Sequence, residues 1–197
     1  MEYMENVKVV IIDIEFVKNN IDMILSCAAR DRLEKANKLK NDKEYYRSLG
    51  AAYLLREYFG DKSIGFNQNG KPYCLEGPYF NISHSGKYIV LAISEHRDVG
   101  IDIERIDKRK IKTIQYILKN EEKTEDLQEL FQIWSAKESL LKCLGSNIGY
   151  IKDVPDYPLN GIKDYRGKNY YTTTKIYNGY SLAITLEGDR PFEITIQ

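Results

Sequence analysis

The chain has 197 residues, of which 43% are hydrophobic and 29% charged, and its 29 basic residues balance 29 acidic ones. A chain of this size and composition can bury a hydrophobic core without disulfides or metals, which excludes disordered and fibrous proteins. The formal net charge of zero argues against a protein that holds nucleic acid by general electrostatics, because that mode of binding requires a basic excess.

The cysteines and the hydropathy of the chain indicate the compartment. Cys27, Cys74 and Cys143 are widely spaced and include no Cys-x-x-Cys pair, which predicts free thiols in a reducing environment. No stretch approaches the roughly 18 consecutive apolar residues of a membrane span, and the first residues lack the pattern of a signal peptide. We therefore expect a cytoplasmic protein with no membrane partner and no nucleic-acid partner.

The first half of the chain begins with a strand and continues with helices. The apolar, β-branched residues 7–14 predict the strand. Between Asn19 and Phe59 apolar residues recur at intervals of three and four, which predicts two or three helices. Residues 65–78 are rich in glycine and proline and predict turns without a regular element.

Strand patterns then return on either side of a helical stretch. The continuous apolar run Tyr88–Ile93 and the alternating run Asp98–Glu104 predict a strand pair, the second strand having one wet face. Residues 110–144 have helical composition, and residues 170–196 again predict strands, rich in Tyr, Thr and Ile.

A short internal echo suggests a duplicated unit. Residues 91–95 (LAISE) resemble residues 182–187 (LAITLE), and each segment follows a tyrosine-containing lead-in. The echo predicts two similar halves of the α+β class that pack about a pseudo-twofold axis and leave a cleft, and such clefts are favoured ligand sites.

Two acidic residues on one predicted strand suggest a cation site. Asp102 and Glu104 are two residues apart, so their side chains emerge on the same face. Adjacent carboxylates repel each other unless a cation lies between them, and hard oxygen ligands suit Mg²⁺. The alternative is a solvated polar face of an edge strand. The neighbouring Gly100 favours a site, because it allows a backbone or a ligand to approach closely.

The helical segment Trp134–Lys142 carries a second candidate pair. Glu138 and Lys142 are four residues apart and share one helix face, whereas Lys137 points elsewhere. The pair is either a helix-stabilising ion pair or a functional one. In the functional interpretation Glu138 is a metal ligand or general base and Lys142 clamps a phosphate.

Further candidates lie in the first half. His84 stands between two serines and before a glycine, at a predicted junction between loop and strand where a phosphate could be held. Arg32 and Lys35 share a helix face, Arg47 begins the next apolar helix, and Lys71 lies in a constrained loop. By default these basic residues are solvated surface positions.

Four segments together resemble a known family. Gly100–Glu104 (GIDIE), followed about thirty residues later by Trp134–Lys142 (WSAKESLLK), is similar to the two signature motifs of the 4'-phosphopantetheinyl transferases. Gly70–Pro72 (GKP) and Phe80–Gly86 (FNISHSG) are similar to additional motifs of the larger, monomeric branch that activates surfactin synthetase, the Sfp type. The resemblance implies an α+β fold of two similar halves related by a pseudo-twofold axis.

The resemblance also implies roles for individual residues. Asp102, Glu104 and Glu138 would bind Mg²⁺, and Lys142 would contact the pyrophosphate of coenzyme A. Lys71, Ser83 and His84 would hold the nucleotide end, with Arg32, Lys35, Arg47 and His84 near the 3'-phosphate. Glu138 is the candidate base, and Glu121, at a position where the family has an acidic residue, is the reserve.

The implied reaction transfers the phosphopantetheine arm of coenzyme A to a serine of an apo acyl- or peptidyl-carrier protein and releases 3',5'-ADP. Residues 1–100 would hold the nucleotide end, residues 101–197 would supply the metal and pyrophosphate ligands, and the active site would lie in the cleft between these halves. Two rival interpretations are an unrelated Mg²⁺-dependent phosphoryl hydrolase and a catalytically silent coenzyme A binding module.

Overall fold

The computed structural model describes residues 4–118, 124–154 and 158–197. The strands of this part are β1 (Glu5–Asp13), β2 (Ile64–Phe66), β3 (Pro72–Cys74), β4 (Tyr79–Ser85), β5 (Tyr88–Ser94), β6 (Val99–Arg105), β7 (Asn160–Tyr165), β8 (Lys168–Tyr177), β9 (Tyr180–Glu187) and β10 (Phe192–Ile196). Its α-helices are α1 (Ile14–Asn19), α2 (Ile21–Cys27), α3 (Arg30–Asn37), α4 (Asp42–Phe59), α5 (Ile111–Ile117) and α6 (Leu127–Cys143). Short 3₁₀ segments cover Lys108–Lys110 and Ile148–Asp153.

The first four-stranded sheet has the order β10-β1-β5-β4. Strand β10 joins β1 in parallel, so the C-terminal residues complete the sheet that the N-terminal residues begin. Helix α4 starts where the Asn41 side chain accepts hydrogen bonds from the backbone of Lys43 and Glu44, which satisfies two donors at the free end of the helix. Its buried Leu49 and Leu54 pack with Leu91 of β5 in one core between the helices and this sheet.

The second four-stranded sheet has the order β6-β9-β8-β7 and is antiparallel. Its inner face packs against the first sheet: Val7 and Val90 share a buried cluster with Ile101 and Ile184. Helix α6, capped by the Asp126 side chain, lies on the opposite face. The layers are therefore helices, sheet, sheet and helix, which confirms the predicted α+β class.

Several predicted elements are confirmed and others were wrong. The first strand, the helices before Phe59, the helices flanking 119–123 and the final strands are present. The predicted pairing of Tyr88–Ile93 with Asp98–Glu104 is wrong, because β5 belongs to the first sheet and β6 pairs with β9 in the second. The turn-rich segment contains the small β2-β3 hairpin, and His84 lies within β4 and not at a loop junction.

The predicted wet face of the Asp98–Glu104 strand is also wrong, because α6 covers it. Asp102 is only 2% exposed. Gly100 allows the contact: a Cβ atom there would lie 1.9 Å from the carbonyl oxygen of Ser139 and 2.4 Å from the amide nitrogen of Cys143. The absence of a side chain at Gly100 thus lets the α6 backbone lie directly on β6.

The helices of the described ranges do not include one with the length and apolar composition of a membrane span.

Candidate active site

The centre of the candidate site is an ion cluster between β6 and α6. The ammonium Nζ of Lys142 lies 2.6 Å from Oδ1 of Asp102 and 3.7 Å from Oε2 of Glu138. Glu138 and Lys142 are one helical turn apart, as the sequence spacing predicts, and α6 presents both to the buried Asp102. Lys137 points elsewhere, as predicted, and donates to the carbonyl oxygen of Val154.

The two side chains on α6 respond to this cluster in different ways. Burial, followed by the negative charge of Asp102, raises the pKa of Glu138 to about 8. Burial opposes the charge on Lys142, but the Asp102 and Glu138 carboxylates outweigh it, so the pKa of Lys142 is raised. The raised pKa of Glu138 reflects the cost of ionising a second carboxyl group beside Asp102 with only Lys142 as a counter-charge, and a further cation would lower that cost.

Glu104 lies on the same face of β6 but has other partners. Its carboxylate forms an ion pair with Lys110, and its Oε1 accepts a hydrogen bond from the Ser85 hydroxyl at 3.2 Å. Neither Lys110 nor Ser85 was among the predicted site residues. The signal for Ser85 was present, since Ser83 and Ser85 are two apart on one strand and so share a face, as Asp102 and Glu104 do.

The predicted Mg²⁺ ligands can be tested against this geometry. Within residues 4–118, 124–154 and 158–197, no three His, Cys, Asp or Glu side chains form a ready metal-binding group. The buried Oδ2 atom of Asp102, however, has no hydrogen-bond partner among these residues, and Glu138 is the neighbouring carboxyl group. An unsatisfied carboxylate oxygen beside a second carboxyl group fits a hard divalent cation.

A cavity of about 290 Å³ adjoins Glu104 and brings together two of the predicted coenzyme A ligands, Arg47 and His84. The Arg47 guanidinium donates to the carbonyl oxygen of Gly86 at 2.6 and 3.0 Å and pairs with Glu44. His84 is exposed at the cavity, where local desolvation and the positive charge of Arg47 lower its pKa. A wider cavity of about 940 Å³ shares Gly86 and Arg105 with this one.

Lys71 lies apart from the cavity around His84. Its ammonium donates to Oδ1 of Asp98 at 2.6 Å and to the carbonyl oxygen of Cys143 at 2.7 Å. Asn67 and Asn69 of the same loop donate to the carbonyl oxygen of Gly145. These contacts fasten the β2-β3 loop to the C-terminal end of α6, immediately after Lys142.

The remaining predicted residues are not gathered at the cluster. Arg32 stacks on the ring of Phe66 at 4.9 Å and lines a different cavity, between α3 and α4. Burial lowers the pKa of Arg32, and its Nη2 atom has no partner among the described residues. Lys35 is exposed on α3. Glu121, the reserve base, lies outside the described residues.

Comparisons with known proteins identify the family of this chain. The family model of the 4'-phosphopantetheinyl transferase superfamily matches residues 98–190, which include Asp102, Glu104, Glu138 and Lys142. The 4'-phosphopantetheinyl transferase gsp of Aneurinibacillus migulanus is 34% identical over 160 aligned positions, which cover 70% of this chain and 67% of that protein. The 4'-phosphopantetheinyl transferase Sfp of Bacillus subtilis strain 168 is 28% identical over 201 positions, which cover 89% of each chain.

The chain therefore belongs to the 4'-phosphopantetheinyl transferase superfamily. Its relatives confirm the predicted Sfp type within that family and the predicted enzyme class.

Proposed function

We propose that this chain transfers the 4'-phosphopantetheine arm of coenzyme A to a serine hydroxyl of an apo acyl- or peptidyl-carrier protein and releases 3',5'-ADP in a Mg²⁺-dependent reaction. The observation that carries the proposal is the cluster in which Glu138 and Lys142 meet the buried Asp102, in a chain of this family. In phosphoryl transfer of this kind the enzyme mainly positions the reactants and neutralises charge.

Lys142 supplies charge neutralisation in this proposal. Its raised pKa keeps it protonated, and it lies partly exposed at the edge of the cluster, where it can reach a pyrophosphate oxygen. Asp102 and Glu138, with Glu104 beyond them, are the proposed holders of Mg²⁺. When bound, Mg²⁺ would neutralise charge on the phosphate oxygens, and its positive charge would favour the ionised form of Glu138.

Glu138 is the proposed base for the attacking serine. Its carboxyl group adjoins Lys142 and the proposed Mg²⁺ ligand Asp102, and the ionised form that a bound cation favours is the form that can accept a proton. Glu121 is the second candidate base, as proposed from the sequence.

Arg47 and His84 are the proposed contacts of the 3'-phosphate, because they line one cavity beside the cluster. In this proposal residues 1–100 hold the nucleotide end of coenzyme A and residues 101–197 supply the metal and pyrophosphate ligands. The substrate lies in the cleft between these two halves. The three free cysteines support a cytoplasmic location. A monomer is the proposed oligomeric state, from the family branch.

Intact-mass spectrometry tests the proposal directly. Apo carrier proteins from fatty-acid, polyketide and peptide synthetases are incubated with the protein, coenzyme A and Mg²⁺, with an EDTA control. The expected result is a metal-dependent gain of one phosphopantetheine arm on at least one carrier, with release of 3',5'-ADP. Turnover of coenzyme A without a carrier would instead indicate a hydrolase, and binding of coenzyme A with no transfer to any carrier would contradict the catalytic roles.

A further inference from the structure

Strand β4 touches the acidic strand β6 through a repeated pattern of side chains. The two strands belong to different sheets and do not pair through their backbones. Instead, Asn81 Oδ1 accepts from the backbone N–H of Ile101 at 3.1 Å and Ser83 Oγ accepts from that of Ile103 at 3.2 Å. Ser85 Oγ accepts from the backbone N–H of Arg105 at 3.0 Å. From Asn81 to Ser85, every second residue of β4 thus satisfies every second backbone donor of β6 between Ile101 and Arg105.

The two serines make a further contact that the asparagine does not. Ser83 Oγ donates to Oδ1 of Asp102 at 3.0 Å, and Ser85 Oγ donates to Oε1 of Glu104 at 3.2 Å. In each case one hydroxyl holds both a backbone N–H of β6 and the carboxylate of the residue just before it. Gly100 occupies the equivalent place beside Asn81 and has no side chain to hold.

The direction of the hydroxyl protons follows from the hydrogen-bond capacity of serine. A serine hydroxyl has one donor and two acceptor lone pairs. Ser83 accepts from the N–H of Ile103 and also from Nζ of Lys142 at 2.9 Å, so both of its lone pairs are used and its proton is directed to Asp102. Ser83 is only 5% exposed and Ser85 only 7%, which leaves little solvent to compete for these contacts.

We propose that Ser83 and Ser85, here called the β4 serine pair, are positioning residues that fix the carboxylate orientations of Asp102 and Glu104. The proposal rests on the proposed function, in which those two carboxylates hold the divalent cation. Residues that orient metal ligands typically change metal affinity or activity by about 10-fold to 100-fold when they are mutated. The serine pair therefore acts through the carboxylates, and Ser85 and Glu104 adjoin the cavity that His84 and Arg47 line.

The test uses Ser85→Ala, Ser85→Thr, Glu104→Gln and the double variant S85A/E104Q. Mn²⁺ serves as a spectroscopic substitute for Mg²⁺ because it has the same preference for oxygen ligands. Its binding to the full chain, in the presence of coenzyme A, is measured by the decrease of the electron paramagnetic resonance signal of free Mn²⁺. We expect S85A to weaken Mn²⁺ binding on the order of 10-fold and S85T, which keeps the hydroxyl, to restore it. In the E104Q background S85A should have no further effect.

Ser94→Ala is the matched control. Ser94 is a buried serine of the same sheet that also donates to a carboxylate, that of Glu5, and accepts from a backbone N–H. It faces Tyr79 at the far end of β4 from Ser85, about 20 Å away along the strand. S94A should lower the melting temperature as S85A does and leave Mn²⁺ binding unchanged. If S85A fails to fold, S83A gives the same test at Asp102.

The outcomes separate the two proposals. An S85A protein with the Mn²⁺ affinity of the wild type, or an equal loss in the wild-type and E104Q backgrounds, would overturn the role of the serine pair. A wild-type protein that binds no Mn²⁺ and modifies no carrier would overturn the proposed function itself.

Discussion

Replacing Gly100 by alanine tests whether the contact between α6 and β6 sets the site. The new Cβ atom would lie 1.9 Å from the Ser139 carbonyl oxygen, about 1.5 Å closer than an ordinary contact at 3.4 Å. Because the obstacle is backbone, the strain can be relieved only by moving α6 or β6. Either movement separates Asp102 on β6 from Lys142 on α6, whose charged atoms are 2.6 Å apart.

The size of the effect follows from the displacement. Overpacking a core by one methyl group costs about 1–3 kcal/mol, which for a domain of this size lowers the melting temperature by on the order of 5 °C. A misplacement of about 1 Å in the site reduces turnover on the order of 100-fold. We therefore expect G100A to fold, to melt several degrees lower and to lose most of its carrier-modifying activity.

Thermal unfolding by circular dichroism and the rate of carrier modification are measured side by side. Gly167→Ala is the matched control: Gly167 has a positive φ of 76° in open space, so alanine there adds backbone strain of about 1–2 kcal/mol without displacing α6. G167A should lose stability and keep its turnover. A G100A protein with wild-type turnover would refute the reasoning that this helix contact positions the cluster.

Four further predictions concern the side chains of Glu138, His84 and Lys71. Glu138→Gln should abolish carrier modification while the dissociation constant for coenzyme A changes by less than about 10-fold, because the amide cannot accept the serine proton; near-normal turnover would exclude Glu138 as the base. Since folding raises the pKa of Glu138 from 4.5 to about 8, the folded state binds more protons than the unfolded state in that interval, and metal-free stability should fall as pH rises from 4.5 to 8; urea unfolding should show a weaker fall for E138Q. His84→Ala should weaken the binding of coenzyme A, measured by calorimetry, and hardly change the binding of dephospho-coenzyme A. Equal losses of affinity for the two ligands would show that His84 does not contact the 3'-phosphate. Lys71→Met should lower the melting temperature and turnover more than the affinity for coenzyme A, because Lys71 holds Asp98 and the end of α6; a loss confined to coenzyme A affinity would make Lys71 a ligand instead.

The sequence predicted those parts of the site that depend on spacing along one element. Asp102 and Glu104 share a face of β6, and Glu138 and Lys142 share a face of α6, because strand and helix periodicity place them so. It did not predict that β6 leaves β5 for the second sheet, since the choice of strand partner depends on the packing of both sheets. The prediction of a solvent-exposed face on β6 was wrong for the same reason, because the residue pattern of one strand does not show that α6 covers it.

The contacts made by the basic residues were less predictable. Lys71 and Arg32 have the charge of phosphate ligands, but their partners lie far along the chain. Lys71 is held by Asp98 and the Cys143 carbonyl, and Arg32 lies over Phe66. Charge alone does not distinguish a ligand from a residue that fastens two elements together. Arg47 and His84 differ because they line one cavity with Glu104.

The cluster is assembled from elements that belong to both sheets, and this couples its geometry to the packing of the whole chain. Ser83 comes from the first sheet, Asp102 from the second and Lys142 from the helix that covers the second sheet, yet all three meet at one oxygen of Asp102. The chain therefore cannot separate its sheets without breaking the cluster. A substrate that binds Lys142 and Asp102 would hold α6 against the second sheet, and coenzyme A with Mg²⁺ should raise the melting temperature because the folded state alone binds them. A melting temperature that stayed constant at saturating coenzyme A and Mg²⁺ would show that the folded protein does not bind them.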